Sequence, residues 1–159
     1  MAFERYRRTP VQISEVMTEG VVSAEADASI GDVAALMRDR NVGSVIIMDG
    51  ERPIAMITDR DIALVVGADG VDRSKRVKPY AAQPLVTGDT GMSVEEAAAH
   101  MVQNRVRRLP ILDGDGGLAG IVTLDDLAVR TGDLEMSQHI TSQVAKAALP
   151  DYFFHQRGG

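Results

Sequence analysis

The chain repeats itself, and this constrains its fold more than any other feature it has. A stretch beginning near Val22 reappears 64 positions later: Val22-Ser23 answers to Val86-Thr87, Ser29-Ile30 to Ser93-Val94, and Met37 to Met101. Val42 then matches Val106, Ile47 matches Ile111, and Asp49-Gly50 matches Asp113-Gly114. Beyond Gly50 the offset becomes 65, with Ala55 on Gly120, Thr58 on Thr123 and Asp61 on Asp126. The added residue falls in Asp113-Gly114-Asp115-Gly116-Gly117, a glycine-rich turn where an insertion costs little loop entropy. Caps, turns and polar residues recur in order along with the aliphatics, which chance alignment does not produce. At 159 residues the chain suits two small repeats sharing a core and is short for two independent domains.

Each copy reads the same way. A short β-like stretch comes first, Gly20 to Ser23 or Pro84 to Thr87. A helix follows, with Ser29 or Ser93 as N-cap and Asp32 or Glu96 placed three residues on to return a bond. Its apolar positions (Ile30, Val33, Ala34, Met37; Val94, Ala97, Ala98, Met101) have the spacing of one buried helical face. Two apolar strands come next, Val45 to Met48 and Ile54 to Ile57, joined around Asp49-Gly50, a strong hairpin signal. Copy two has Leu109 to Leu112 and Leu118 to Val122. A last helix starts at Thr58 or Thr123 and turns Ile62 or Leu127 inward. The organisation expected is repeat one over 9–67, a connector over 68–76, repeat two over 77–132, and a C-terminal helix and tail over 133–159. The helix of that last segment would run from Asp133 to Leu149, and Tyr152-Phe153-Phe154 reads as a docking patch.

Both copies close on one phrase: a small residue, two aliphatics, Thr, two variable residues, Asp. It stands as Ala55-Met56-Ile57-Thr58-Asp59-Arg60-Asp61 and Gly120-Ile121-Val122-Thr123-Leu124-Asp125-Asp126. A strand thereby delivers a hydroxyl and backbone N–H groups to a helix N-terminus, a place that attracts phosphate. An aspartate one turn into the helix accepts hydrogen bonds from a ribose diol. Thr for phosphate and Asp for ribose make a nucleoside-phosphate grip. The same residues also make a capping box, in which each side chain satisfies the other's backbone donor.

This phrase, following a helix and a hairpin and repeated at this spacing, resembles the paired CBS domains of a Bateman module, over about Val11 to Arg130. The resemblance implies an α/β (α+β) fold of two pseudo-twofold-related β-α-β-β-α repeats packed into one module, with two clefts. It implies a non-enzymatic, stand-alone regulatory sensor, bacterial in type, that takes AMP, ADP or ATP, or else S-adenosylmethionine or NADH, with no obligatory cofactor. Thr58 and Asp61 would serve the first cleft, and Ile121, Thr123 and Asp126 the second. The base would be held near Met17 and Val22 in the first copy, and near Ala81 and Val86 in the second. The hairpin openings, Val42-Gly43-Ser44 and Val106-Arg107-Arg108, would line the sites as well. If Arg107 reaches phosphate in the opposite cleft, the first cleft is the better neutralised and fills first. Alternatively these arginines are a solvated strand start. Ala55, where the family usually has glycine, leaves less backbone room at the first site.

Composition narrows the field. There is no cysteine, which excludes disulfides, thiolate nucleophiles and Cys-ligated metals. The net charge of −6 argues against a nucleic-acid partner, and no long apolar run suggests a membrane span. A cytoplasmic homodimer acting on a protein partner in trans is expected, its contacts made through the alanine-rich stretches Ala34-Ala35 and Ala97-Ala98-Ala99. No catalytic constellation and no metal site are expected. Asp125-Asp126 reads as helix-terminal charge or as a Mg²⁺ holder beside phosphate, and His100 as a partly buried or dimer-contact residue. The competing reading is an interaction protein with unoccupied clefts, working through its dimer surfaces.

Overall fold

A computed structural model describes residues 10–130 and, further on, Gln138, His139, residues 141–143 and Lys146, which are helical and exposed. Apart from those six, the expected helix from Asp133 to Leu149 lies outside the described residues, as does Tyr152-Phe153-Phe154. The element order is α1 (Ile13–Val16), β1 (Ser23–Glu25), α2 (Ile30–Arg40), β2 (Ser44–Asp49), β3 (Arg52–Thr58) and α3 (Asp59–Gly67), followed by a 3₁₀ turn at Lys78–Tyr80. Then come β4 (Gly88–Asp89), α4 (Val94–Asn104), β5 (Arg108–Leu112), β6 (Leu118–Thr123) and α5 (Leu124–Arg130). The fold is mixed α and β, with two three-stranded sheets ordered β1-β2-β3 and β4-β5-β6.

The local signals explain the elements. Ser29 and Ser93 accept the N–H groups of Asp32 and Glu96, as capping requires. Glu96 also accepts the Ser93 N–H, whereas Asp32 makes no such return bond, for which the structure offers no reason. The β2–β3 hairpin turns at Gly50, whose φ of 60° fits the left-handed opening of a tight turn. A bulge between Ile47 and Met48 sets Met48 opposite Pro53, a position where a proline interrupts no regular ladder. In the second hairpin the Asp113 carboxylate accepts N–H groups from Asp115 and Gly117, both at 2.9 Å, and this knot absorbs the extra residue.

The first strands begin later than the sequence suggests, at Ser23 rather than Gly20 and at Gly88 rather than Pro84. Gly20 has a φ of 68°, which excludes it from extended strand. The parallel ladder instead starts where β1 meets Ile46, Ile47 and Met48 of β2.

The described chain forms two compact units. One holds Glu19–Leu85 and the hairpin tip Asp113–Ala119; the other holds residues 10–18, Val86–Leu112 and residues 120–130. Each has its own apolar core. Ile30, Val33, Met37, Val45, Ile47, Ala55 and Ile57 form the first, completed by Val77 and Ala81 of the connector side. Val94, Ala97, Ala98, Met101, Leu109, Ile111, Val122, Leu124 and Leu127 form the second, completed by Ile13 and Val16. The segment preceding each repeat therefore closes the unit of the other. The hydrogen bonds match position for position: Ile30 N–H to Lys75 O answers to Val94 N–H to Val11 O, and Val77 N–H to Ala28 O answers to Ile13 N–H to Met92 O. In the connector, hydrogen bonds from Ser74 hold the Asp72 carboxyl below the usual carboxylate range.

Candidate functional site

In the first-repeat unit, β3 runs into α3 at Thr58, which caps it. The Thr58 hydroxyl and N–H both donate to Asp61 Oδ2 at 2.8 Å, and the Asp61 N–H donates to Thr58 Oγ1 at 3.2 Å. Ser44 is the cross-strand partner of Thr58, and Gly43 O accepts the Asp59 N–H at 3.1 Å. Gly43, Ser44, Thr58 and Asp61 therefore stand together. Val22 and Val42 lie half-buried against the same core, and Ala81 is part of it.

The second-repeat unit builds the same arrangement. Thr123 N–H and hydroxyl donate to Asp126 Oδ2 at 2.8 and 3.0 Å, and Asp126 N–H returns to Thr123 Oγ1 at 3.2 Å. Leu124 N–H donates to Arg107 O at 3.2 Å. Arg107 and Arg108 share a depression of about 330 Å³ with Thr123, Leu124 and Asp125. Ile121 bridges to Thr18, while Met17, Val86 and Val106 pack around the core.

Three points differ from the sequence reading. Met17 is grouped with Thr123 and Asp126, not with Thr58 and Asp61, and Ala81 is grouped with Thr58; the cause is the exchange of the preceding segments. Arg107 and Arg108 flank the second phrase's own depression, whereas the sequence reading took Arg107 toward the opposite cleft. At α3 the first three N–H groups already have partners in Gly43 O, Asp59 Oδ1 and Thr58 Oγ1, so this end offers phosphate no spare backbone donors.

What remains available is the other carboxylate oxygen. Capping consumes only Oδ2 of each aspartate. Asp61 Oδ1 carries no hydrogen bond among the described residues, and Asp126 Oδ1 has only Arg130 Nε near it, at 3.8 Å. The capping box and a hydroxyl-accepting role thus use different atoms of one side chain. His100, half-buried on α4, makes a hydrogen bond from Nε2 to Thr87 O at 3.0 Å and receives Asn104 Nδ2 on Nδ1 at 3.3 Å. Its contacts are internal to its unit. No group of three or more potential metal ligands occurs among the described residues.

The CBS domain pattern matches residues 13–68 and again 77–130, so that both Thr-x-x-Asp phrases fall inside a match. The chain belongs to the CBS domain family. Among curated relatives, the CBS domain-containing protein YhcV of Bacillus subtilis (strain 168) is 39% identical over 117 residues, covering 74% of this chain and 83% of that one. The solved CBS domain protein PAE2072 from Pyrobaculum aerophilum, complexed with AMP, superposes with a TM-score of 0.69 at 24% identity, over 86% of this chain and 99% of that one. The CBS domain pair of MJ0100, in complex with 5-methylthioadenosine and S-adenosyl-L-methionine, gives 0.68 at 20% identity over 77% and 97%. These two likenesses establish the fold as that of a CBS domain pair.

Proposed function

We propose that this CBS protein is a non-enzymatic sensor of adenosine nucleotides, whose occupancy is read by a protein partner. The observation that carries the reading is the second carboxylate oxygen, Oδ1, of Asp61 and Asp126, which capping leaves unused one turn into a helix and which is able to accept ribose hydroxyls, Asp126 Oδ1 having Arg130 Nε 3.8 Å away. Arg107 and Arg108 beside Thr123 add what a phosphate needs, since guanidinium forks bind it through charge-assisted, bidentate bonds. That two chains of this fold hold AMP or S-adenosylmethionine supports the ligand class. A second copy of the chain is the proposed partner in assembly.

The arginines predict different preferences at the two sites. Phosphate adds affinity at the Asp126 site and little at the Asp61 site, where Gly43 and Ser44 stand in the matching positions. Titration calorimetry with adenosine, AMP, ATP and S-adenosylmethionine is the test. AMP is expected to bind more tightly than adenosine, and Arg107→Ala to narrow that difference by roughly tenfold, the cost of about 1.5 kcal/mol for a lost charged hydrogen bond. Silence from all four compounds at millimolar concentration favours the interaction-protein reading, in which the capping boxes are the whole role of the two phrases.

A further inference from the structure

The two Thr-x-x-Asp phrases are alike, but one turn beyond the second stands a side chain that the first copy lacks. Arg130 occupies the position that Val65 fills in the first repeat. Its Nη1 donates to Val16 O at 2.9 Å and to Met17 O at 3.1 Å, and its Nη2 lies 3.5 Å from Thr18 Oγ1. Its Nε lies 3.8 Å from Asp126 Oδ1. One guanidinium therefore joins three consecutive residues of the N-terminal segment to the carboxylate of the candidate site, across 114 positions of chain. The carbonyls it takes end α1, where no intrahelical donor reaches them. Beyond them, the Met17 side chain lies against Gly120, three residues before Thr123 on β6. In the other unit the matching segment, Ala81–Ala82, is tethered through the connector, and Val65 has no group to donate.

We propose that Arg130 is the positioning residue of the second site. It fastens the wall formed by Met17 to the helix that carries Asp126, so that adenosine binding there depends on the docked N-terminal segment. Binding at Asp61 has no such dependence. The proposal rests on the nucleotide-binding reading, and its test separates the two. Hydrogen exchange on the unliganded full-length chain compares wild type with Arg130→Gln and Arg130→Lys. Amides of residues 13–18 are expected to exchange about tenfold faster in Arg130→Gln, as for the loss of a charged hydrogen bond, with Arg130→Lys intermediate and residues 77–82 unchanged. Unchanged exchange at 13–18 overturns the fastening, and equal acceleration at 77–82 shows a general loss of stability and overturns it too. Calorimetry with AMP forms the second arm. One binding event is expected to weaken about tenfold in Arg130→Gln and the other to hold. Loss at both events, or at neither, overturns the positioning role. Silence of wild type toward every adenosine compound overturns the nucleotide reading and the ligand half of the proposal together, while the exchange arm still decides the fastening by itself.

Discussion

At Gly120 a β-carbon has no room. One built there meets Met17 Sδ at 2.7 Å and Thr18 O at 2.9 Å, closer than real β-carbons come. The first copy divides the same space the other way: the larger Ala55 stands in place of Gly120, and the smaller Ala81 in place of Met17. One bond of its bridge is also longer, Met56 N–H to Ala82 O at 3.3 Å against 3.0 Å from Ile121 to Thr18, while the return bonds are both 2.8 Å. Gly120→Ala is therefore expected to destabilise the protein by about 1–3 kcal/mol, as overpacking does. Adding Met17→Ala should recover part of that loss, but not the part owed to the Thr18 carbonyl. Chemical denaturation of both variants is the check, and a double variant no more stable than Gly120→Ala alone sinks the pairing. The Thr and Asp of each phrase were legible in the sequence because their spacing is their chemistry. Arg130 was not: its partners are two carbonyls and a hydroxyl 112 to 114 positions away, and no local pattern marks them.

Elements were read well where the signal was local. Ser29, Ser93, Thr58 and Thr123 cap the helices as their spacing requires, and both hairpins turn at Asp-Gly. Met17 and Ala81 belong to units other than the sequence reading grouped them with, because repetition tells which segments are alike, not which copy each one docks on. That docking has an energetic consequence. Ile13 and Val16 are 0% and 2% exposed within the second core, although they precede the first repeat. Burial of such side chains contributes about 1.5–3 kcal/mol each, a large share of the 5–15 kcal/mol by which small domains are stable. Deleting residues 1–18 is thus expected to loosen the second-repeat unit and to spare the first. Exchange or proteolysis mapped by mass spectrometry reads the difference. Faster opening over residues 94–127 than over 30–57 is the expected outcome, and the reverse order refutes the exchange of segments.

At the scale of the whole molecule, the unusual helix is α3. It carries Ile62, Ala63, Leu64, Val65 and Val66 in succession yet buries none of them fully; Ile62 and Val65 pack half-buried on the first core while Ala63, Leu64 and Val66 are exposed, whereas α5 buries Leu124 and Leu127. Leu64 is 50% and Val66 39% exposed, and a groove of about 510 Å³ runs between α2 and α3, lined by Ala34, Ala35, Ile62, Ala63 and Val66. Small residues on both helices allow a further helix to approach closely, and the surface so formed is mostly apolar, with Arg38 and Arg73 the charged residues that line it, in a chain whose net charge is −6. A second copy brings the same groove and the same exposed α3 face, so a two-fold contact buries both at once. A stable pair needs about 800 Å² from each partner, more than the groove alone provides, so the neighbouring α3 surface must take part. Light scattering at micromolar concentration is expected to report twice the 17.1 kDa chain mass. Val66→Glu places a charge on the contact and is expected to return the mass to 17.1 kDa with the helical signal intact, because Val66 is not part of the core. A wild-type chain that already scatters as a monomer leaves α3 facing water and removes the second copy as its cover.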